Sequence, residues 1–142
     1  MDSYNSRLVA GTTLDVSVPE DYKPEDHSCR LLRLINDELV IGTVVSVDQK
    51  QGYAALTFPM HVGVLHCDEH DEEEMYEFMP YLRNLVPFDI QHPRPVIFNL
   101  AQCINAVEPS EHLVRNYHKV LLLKKAVSDE MLGLRRRKET MH

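Results

Sequence analysis

The spacing of hydrophobic positions changes character along the chain. From Arg30, Leu32 and Leu34 fall on one side with Leu31 and Ile35 nearby, and Asn36-Asp37 supplies a turn. Leu39–Asp48 (LVIGTVVSVD) is dense in Val and Ile with partial two-residue alternation, which predicts a second strand. Gly42 weakens a flat strand there and suits a sharp bend. Residues 48–52 (DQKQG) predict a turn, with Gly52 free to take positive φ. Residues 53–64 predict a third strand, in which Pro59 marks a bulge or an unpaired edge position. Residues 96–98 and Cys103–Val107 predict two more short strands, separated by Asn99-Leu100-Ala101-Gln102. The period then becomes helical. Ser110 is the expected N-cap, Glu111 suits the first turn, and Leu113, Val114, Tyr117, Val120 and Leu121 give one apolar face. Ser128-Asp129-Glu130 predicts the restart of a second short helix.

Between these elements the chain is polar. Residues 1–29 hold few large apolar side chains and read as an extended arm, with Leu14, Val16 and Val18 allowing one short strand. Residues 67–79 hold seven acids, so an exposed insert of about 66–79 is expected between the third and fourth strands. The predicted organisation is an arm (1–29), a mainly β domain of five short strands (30–109) and a C-terminal helix with a basic tail (110–142).

Composition narrows the function classes. Hydrophobic residues are 44% and charged residues 26% of the 142, a globular balance. No uninterrupted apolar run exceeds four residues, so no transmembrane helix is expected. Asp2 and the lack of an apolar stretch near the start predict no secretory signal. Cys29, Cys67 and Cys103 are odd in number and never spaced as CxxC, which predicts reduced thiols in a cytoplasm. Residues 1–109 carry 7 Lys and Arg against 18 Asp and Glu, a balance of −11; residues 110–142 carry 8 against 4, a balance of +4. A surface this acidic does not grip a phosphate backbone as a whole, so any nucleic-acid contact is confined to a patch or to the tail.

Two strand blocks separated by a variable insert resemble the Sm-like family (Sm, LSm and Hfq proteins). In the first block Gly42 stands at the family's bend glycine, Asp48 six residues later at the mouth of the turn, and Val44, Val47 and Leu56 in apolar places. In the second, Ile97, Phe98, Ile104 and Val107 fit the apolar positions. The stretch Ala106-Val107-Glu108-Pro109-Ser110-Glu111, with Tyr117 after it, is similar to divergent Sm-like proteins of bacteriophages and environmental sequences. The resemblance covers about residues 30–118. It implies a small, strongly bent, five-stranded antiparallel barrel, homo-oligomeric rings of five to seven subunits closed edge to edge, and single-stranded RNA as partner. It also suggests a viral protein acting in a host cytoplasm. Gly52 stands where the family carries a base-reading Asn, and Leu100-Ala101 where it carries an Arg-Gly pair. RNA binding is therefore expected to be weak or divergent.

Asp48, Gln51, Gly52 and Tyr53 are the candidate nucleotide pocket, with Tyr53 stacking a base and Gln51 bonding its edge. The competing reading is a hairpin turn with a capping Asp. Gln102 is a further polar candidate. Arg135, Arg136, Arg137 and Lys138 are candidate phosphate contacts or a solvated end. His66, Cys67 and His70, beside Asp68 and Asp71, have zinc-ligand types but lack a second ligand pair, so no metal or cofactor is expected. His61 and His66 near Cys67 form no nucleophile elbow, so the chain reads as a binding module and not as an enzyme. The alternative is an oligomeric scaffold without nucleic acid, whose acidic insert docks a basic protein.

Overall fold

The computed structural model describes residues 16–65, 75–82 and 88–140. They form a six-stranded antiparallel sheet that is not closed, followed by one C-terminal helix. The strands are β1 (Cys29–Leu34), β2 (Leu39–Asp48), β3 (Tyr53–Leu65), β4 (Met75–Pro80), β5 (Val96–Asn99) and β6 (Cys103–Val107). The helix α1 spans Glu111–Thr140. No helix among the described residues is long and apolar enough to cross a membrane.

All five expected strands are present, and a sixth corrects the expected count. Residues 75–79, assigned above to the acidic insert, belong to β4, which pairs β3 from Met60↔Pro80 to Leu65↔Met75. Tyr76 and Phe78 turn toward α1 while Met75, Glu77 and Met79 face outward, an ordinary period-two strand. β5 pairs the other end of β3, from Tyr53↔Asn99 to Leu56↔Val96. Since β2 holds the opposite edge of β3 at both ends, β4 and β5 share one edge, and the six strands occupy five positions.

The sheet is strongly curled, and its connectivity requires this. β5 lies beyond β3 and β6 beyond β1, with β2 between, yet only Leu100–Gln102, a 3-10 turn, separates β5 from β6. In a flat sheet those positions would lie roughly 19 Å apart, at about 4.8 Å per strand. A 3-10 turn of this length advances only about 8 Å. Two irregularities in the β2–β3 ladder take up the bend. Ile41 faces Met60 and Thr43 faces Thr57, so Phe58 and Pro59 oppose Gly42 alone. That is the bulge expected at Pro59, where the missing N–H costs the ladder nothing. A Cβ on Gly42 would sit 2.8 Å from Leu56 Cβ, so the close approach of β2 to β3 requires glycine there. Val45 is the extra residue at the second irregularity.

Neighbouring residues on each strand enter different cores. Leu32, Val40, Leu56 and Phe98 pack on one face of the sheet. Ile41, Phe58 and Met60 pack on the other face with Leu113, Tyr117 and Leu121 of α1. Phe58 has φ 51, unusual for an aromatic residue, and the bulge turns its carbonyl toward the helix. The Tyr117 hydroxyl lies 2.8 Å from that carbonyl, to which it donates, and 3.3 Å from Thr43 Oγ1. The helix thus satisfies a backbone group that the bulge removed from the ladder.

Ser110 caps α1 as expected, its Oγ accepting from Leu113 N–H at 3.2 Å. The expected restart at Ser128 is corrected: α1 is one continuous helix of 30 residues. Ser128 and Asp129 accept from the Gln91 side-chain amide at 3.2 and 2.6 Å instead of capping. In the arm, Val16 and Val18 are in no strand, and Leu14 lies outside the described residues. Residues 16–28 instead contain a 3-10 turn, Pro24–Asp26, and are anchored by buried Tyr22, whose hydroxyl is 2.9 Å from Thr57 Oγ1.

Candidate functional site

The curl of the sheet brings the turns of the two sequence blocks together. The β2–β3 turn is closed by the Asp48↔Tyr53 pair and by Gly52 N–H donating to the Asp48 carbonyl at 2.8 Å. The Asp48 carboxylate accepts from Gln51 N–H at 3.0 Å, and Gly52 takes φ 75, the left-handed region that glycine enters without strain. Asp48 therefore acts as the turn's cap, while the Gln51 side chain is exposed and Tyr53 half-buried.

The β5–β6 turn docks directly onto this one. Leu100 N–H donates to the Gly52 carbonyl at 2.8 Å, next to the Tyr53↔Asn99 pair. Asn99 Oδ1 accepts from Ala101 N–H at 2.9 Å, which caps the 3-10 turn. The far end of the same turn reaches the β1–β2 connection, where the Gln102 carbonyl accepts from Ile35 N–H at 3.1 Å. Gln51, Gly52 and Tyr53 thus sit on a turn in contact with the one that ends at Gln102; Gln51 is exposed and Tyr53 half-buried near the contact, and Gln102 is exposed at the end that reaches Ile35. An arrangement of this kind can stack a flat ring and bond its edge. Cys103, at the end of the turn, has its thiol pKa pushed up by burial and stays a neutral donor, 3.6 Å from the Asn99 carbonyl.

Arg135, Arg136, Arg137 and Lys138 do not join this group. They are exposed on the last turns of α1, roughly four helical turns beyond Leu121, the last buried residue of the helix. His66, Cys67 and His70 lie outside the described residues. Among the described residues no cluster of three or more His, Cys, Asp or Glu could hold a metal ion.

Two residues of the site escaped the sequence reading. Asn99 holds the β5–β6 turn in shape; its signal was the position two residues before Ala101, an Asx turn. Lys50, exposed in the β2–β3 turn, is the cation that the 48–53 segment offers to a phosphate. A groove of about 800 Å3 lies elsewhere, between the arm, residues 90–93 and α1, and none of the nominated residues lines it. Neither a family model nor a curated protein matches the chain.

Proposed function

We propose that the chain is an Sm-like module that assembles into a homo-oligomeric ring and handles single-stranded RNA in a divergent way. The observation that carries this reading is the contact between the β2–β3 and β5–β6 turns, sealed by Leu100 N–H on the Gly52 carbonyl within a curled sheet. This contact supports the reading by joining the turn of Gln51 and Tyr53 to the turn that ends at Gln102, from blocks about fifty residues apart. Ring closure has its own support. Among the described residues β6 pairs only β1, and β4 and β5 pair only β3, so two opposite edges are open to another copy. The β6 edge carries exposed Ile104 and Val107, and β5 carries exposed Ile97.

Native mass spectrometry of the protein purified with and without nuclease tests both parts. A mass several times 16.4 kDa, with extra nuclease-sensitive mass, is the expected result. Replacing Gln51 and Tyr53 together by Ala removes about 1–3 kcal/mol of stacking for each base lost. Deleting residues 134–142 lowers the salt dependence of binding and leaves the pocket intact. RNA affinity unchanged in both variants sinks the proposal. The balance of −11 over residues 1–109 favours a second reading, a ring-shaped scaffold whose acids at 68–77 dock a basic protein. A clean ring free of nucleic acid is its signature.

A further inference from the structure

Beyond Leu121, α1 runs on for roughly 28 Å at 1.5 Å per residue. Four large apolar side chains are exposed along this length, Leu123 at 67%, Val127 and Met131 at 59% and Leu134 at 46%. At 100° per residue these four fall in one stripe about 80° wide. Leu113, Tyr117 and Leu121, which tie α1 to the sheet, centre roughly 80° round the helix from it. The stripe is therefore a flank of the helix and not a continuation of its packed face.

Charge says what covers it. Residues 122–138 carry six Lys and Arg (Lys124, Lys125, Arg135, Arg136, Arg137 and Lys138) against Asp129 and Glu130, a balance of +4. Asp129 already accepts from the Gln91 amide at 2.6 Å. The last four cations are exposed and consecutive, so in steps of 100° they point all round the helix. They form a collar just past Leu134, where the stripe ends. The collar lies roughly 9–13 Å along the axis beyond Asp129, more than a Debye length of about 8 Å, so charges on the body are largely screened there.

Each half of this pattern excludes a simpler occupant. A nucleic-acid backbone would meet the collar and leave the stripe in water. A neutral apolar groove would cover the stripe and gain nothing from six cations. An anionic lipid surface meets both: the acyl boundary takes the apolar side chains, and long Lys and Arg side chains reach the headgroups beside them. The stripe spans only about 16 Å from Leu123 to Leu134, and no described helix is long and apolar enough to cross a membrane, so the helix lies in the surface. From the stripe and its cationic collar we infer that the distal half of α1 docks in the plane of an anionic lipid surface, with Leu123, Val127, Met131 and Leu134 inward. The two turns proposed for RNA and the sheet edges proposed for the ring take no part in this contact.

Flotation of the full, nuclease-treated chain with lipid vesicles tests it. Vesicles of phosphatidylcholine with about one phosphatidylserine in three lipids are expected to bind at least tenfold more tightly than phosphatidylcholine alone, and raised salt narrows the difference. Leu123→Asp, which sets a charge in the stripe, weakens the binding by about tenfold or more, and so does joint replacement of Arg135, Arg136 and Arg137 by Gln. All four positions are exposed, and circular dichroism checks that the fold persists. Equal binding to both vesicles, or binding to neither, overturns the proposal, whether a second copy or another protein then covers the stripe. So does a Leu123→Asp chain that binds as tightly as the unaltered one, because the cations alone would then hold the vesicle.

Discussion

The two halves of α1 share one continuous backbone but solve different problems. From Glu111 to Leu121 the helix is part of the sheet's architecture: Leu113, Tyr117 and Leu121 are buried, and the Tyr117 hydroxyl closes the bulge in β3. Beyond Leu121 none of the described side chains, up to residue 138, is buried, and several large apolar ones are exposed. Such a length of helix has little stability of its own. It is held by continuity with the packed half and by the Gln91 contacts at Ser128 and Asp129. The difference teaches that helix propensity alone does not say what a helix is for. The first half answers to the sheet, and the second answers to whatever covers it.

The largest expected effect separates the halves directly. Tyr117→Ala removes a fully buried ring and opens a cavity between α1 and β3, at a cost of about 3–5 kcal/mol. Tyr117→Phe keeps the ring and leaves the Phe58 carbonyl unsatisfied, costing about 1–3 kcal/mol. Leu123→Ala in the second half should change the unfolding free energy of the single chain by less than about 0.5 kcal/mol. Urea unfolding at low protein concentration measures all three. A Leu123→Ala loss as large as that of Tyr117→Phe would erase the distinction.

A pH series sharpens the same contrast from the buried side. Burial raises the pKa of Tyr117, and of Tyr22 on the other side of Thr57, above the ordinary tyrosine value of 10.0. The folded protein therefore keeps phenol protons that the unfolded chain gives up. Their contribution is complete below pH 10 and is lost as pH rises from there toward the folded values. The urea midpoint should begin to fall as pH approaches 9, where burial keeps the Cys29 and Cys103 thiols protonated above their ordinary 9.0. It should fall more steeply as pH passes 10, and Tyr117→Phe should shallow only that upper part of the fall. A fall of equal steepness in the variant would remove Tyr117 from the account.

Much of this was legible in the chain because it is local. Gly42 and Pro59 announced the bend and the bulge, and Ser110 announced the helix start, since each acts on its own backbone. Two local signals misled, one because a distant residue competed for it and one because neighbouring charges hid it. Ser128-Asp129 has the chemistry of an N-cap, but Gln91 engages both side chains and the helix runs through. The acids of 67–77 masked the alternation of Tyr76 and Phe78, although an edge strand with one covered face tolerates charges on the other. The union of the two turns was beyond sequence reasoning. Both were identified as turns, but their contact depends on the curl of the whole sheet, which no segment encodes alone.

The smallest effect is the most discriminating, because it acts on the second half only. Gly133 lies inside the helix, where glycine costs about 0.8–1.0 kcal/mol relative to alanine through the backbone freedom it surrenders. A Cβ there would meet nothing nearer than Arg137 Nη2 at 3.9 Å, an ordinary contact, so Gly133→Ala adds no strain. If the overhang opens and closes independently of the core, the gain stays local. Amide exchange along residues 128–140 should slow by roughly fivefold, the equivalent of about 1 kcal/mol, while the global urea midpoint stays where it was. A midpoint that rises by the full amount would mean that the two halves unfold as one unit. The overhang would then be part of the domain's own cooperative structure, and its apolar stripe would no longer be an independent surface awaiting a partner.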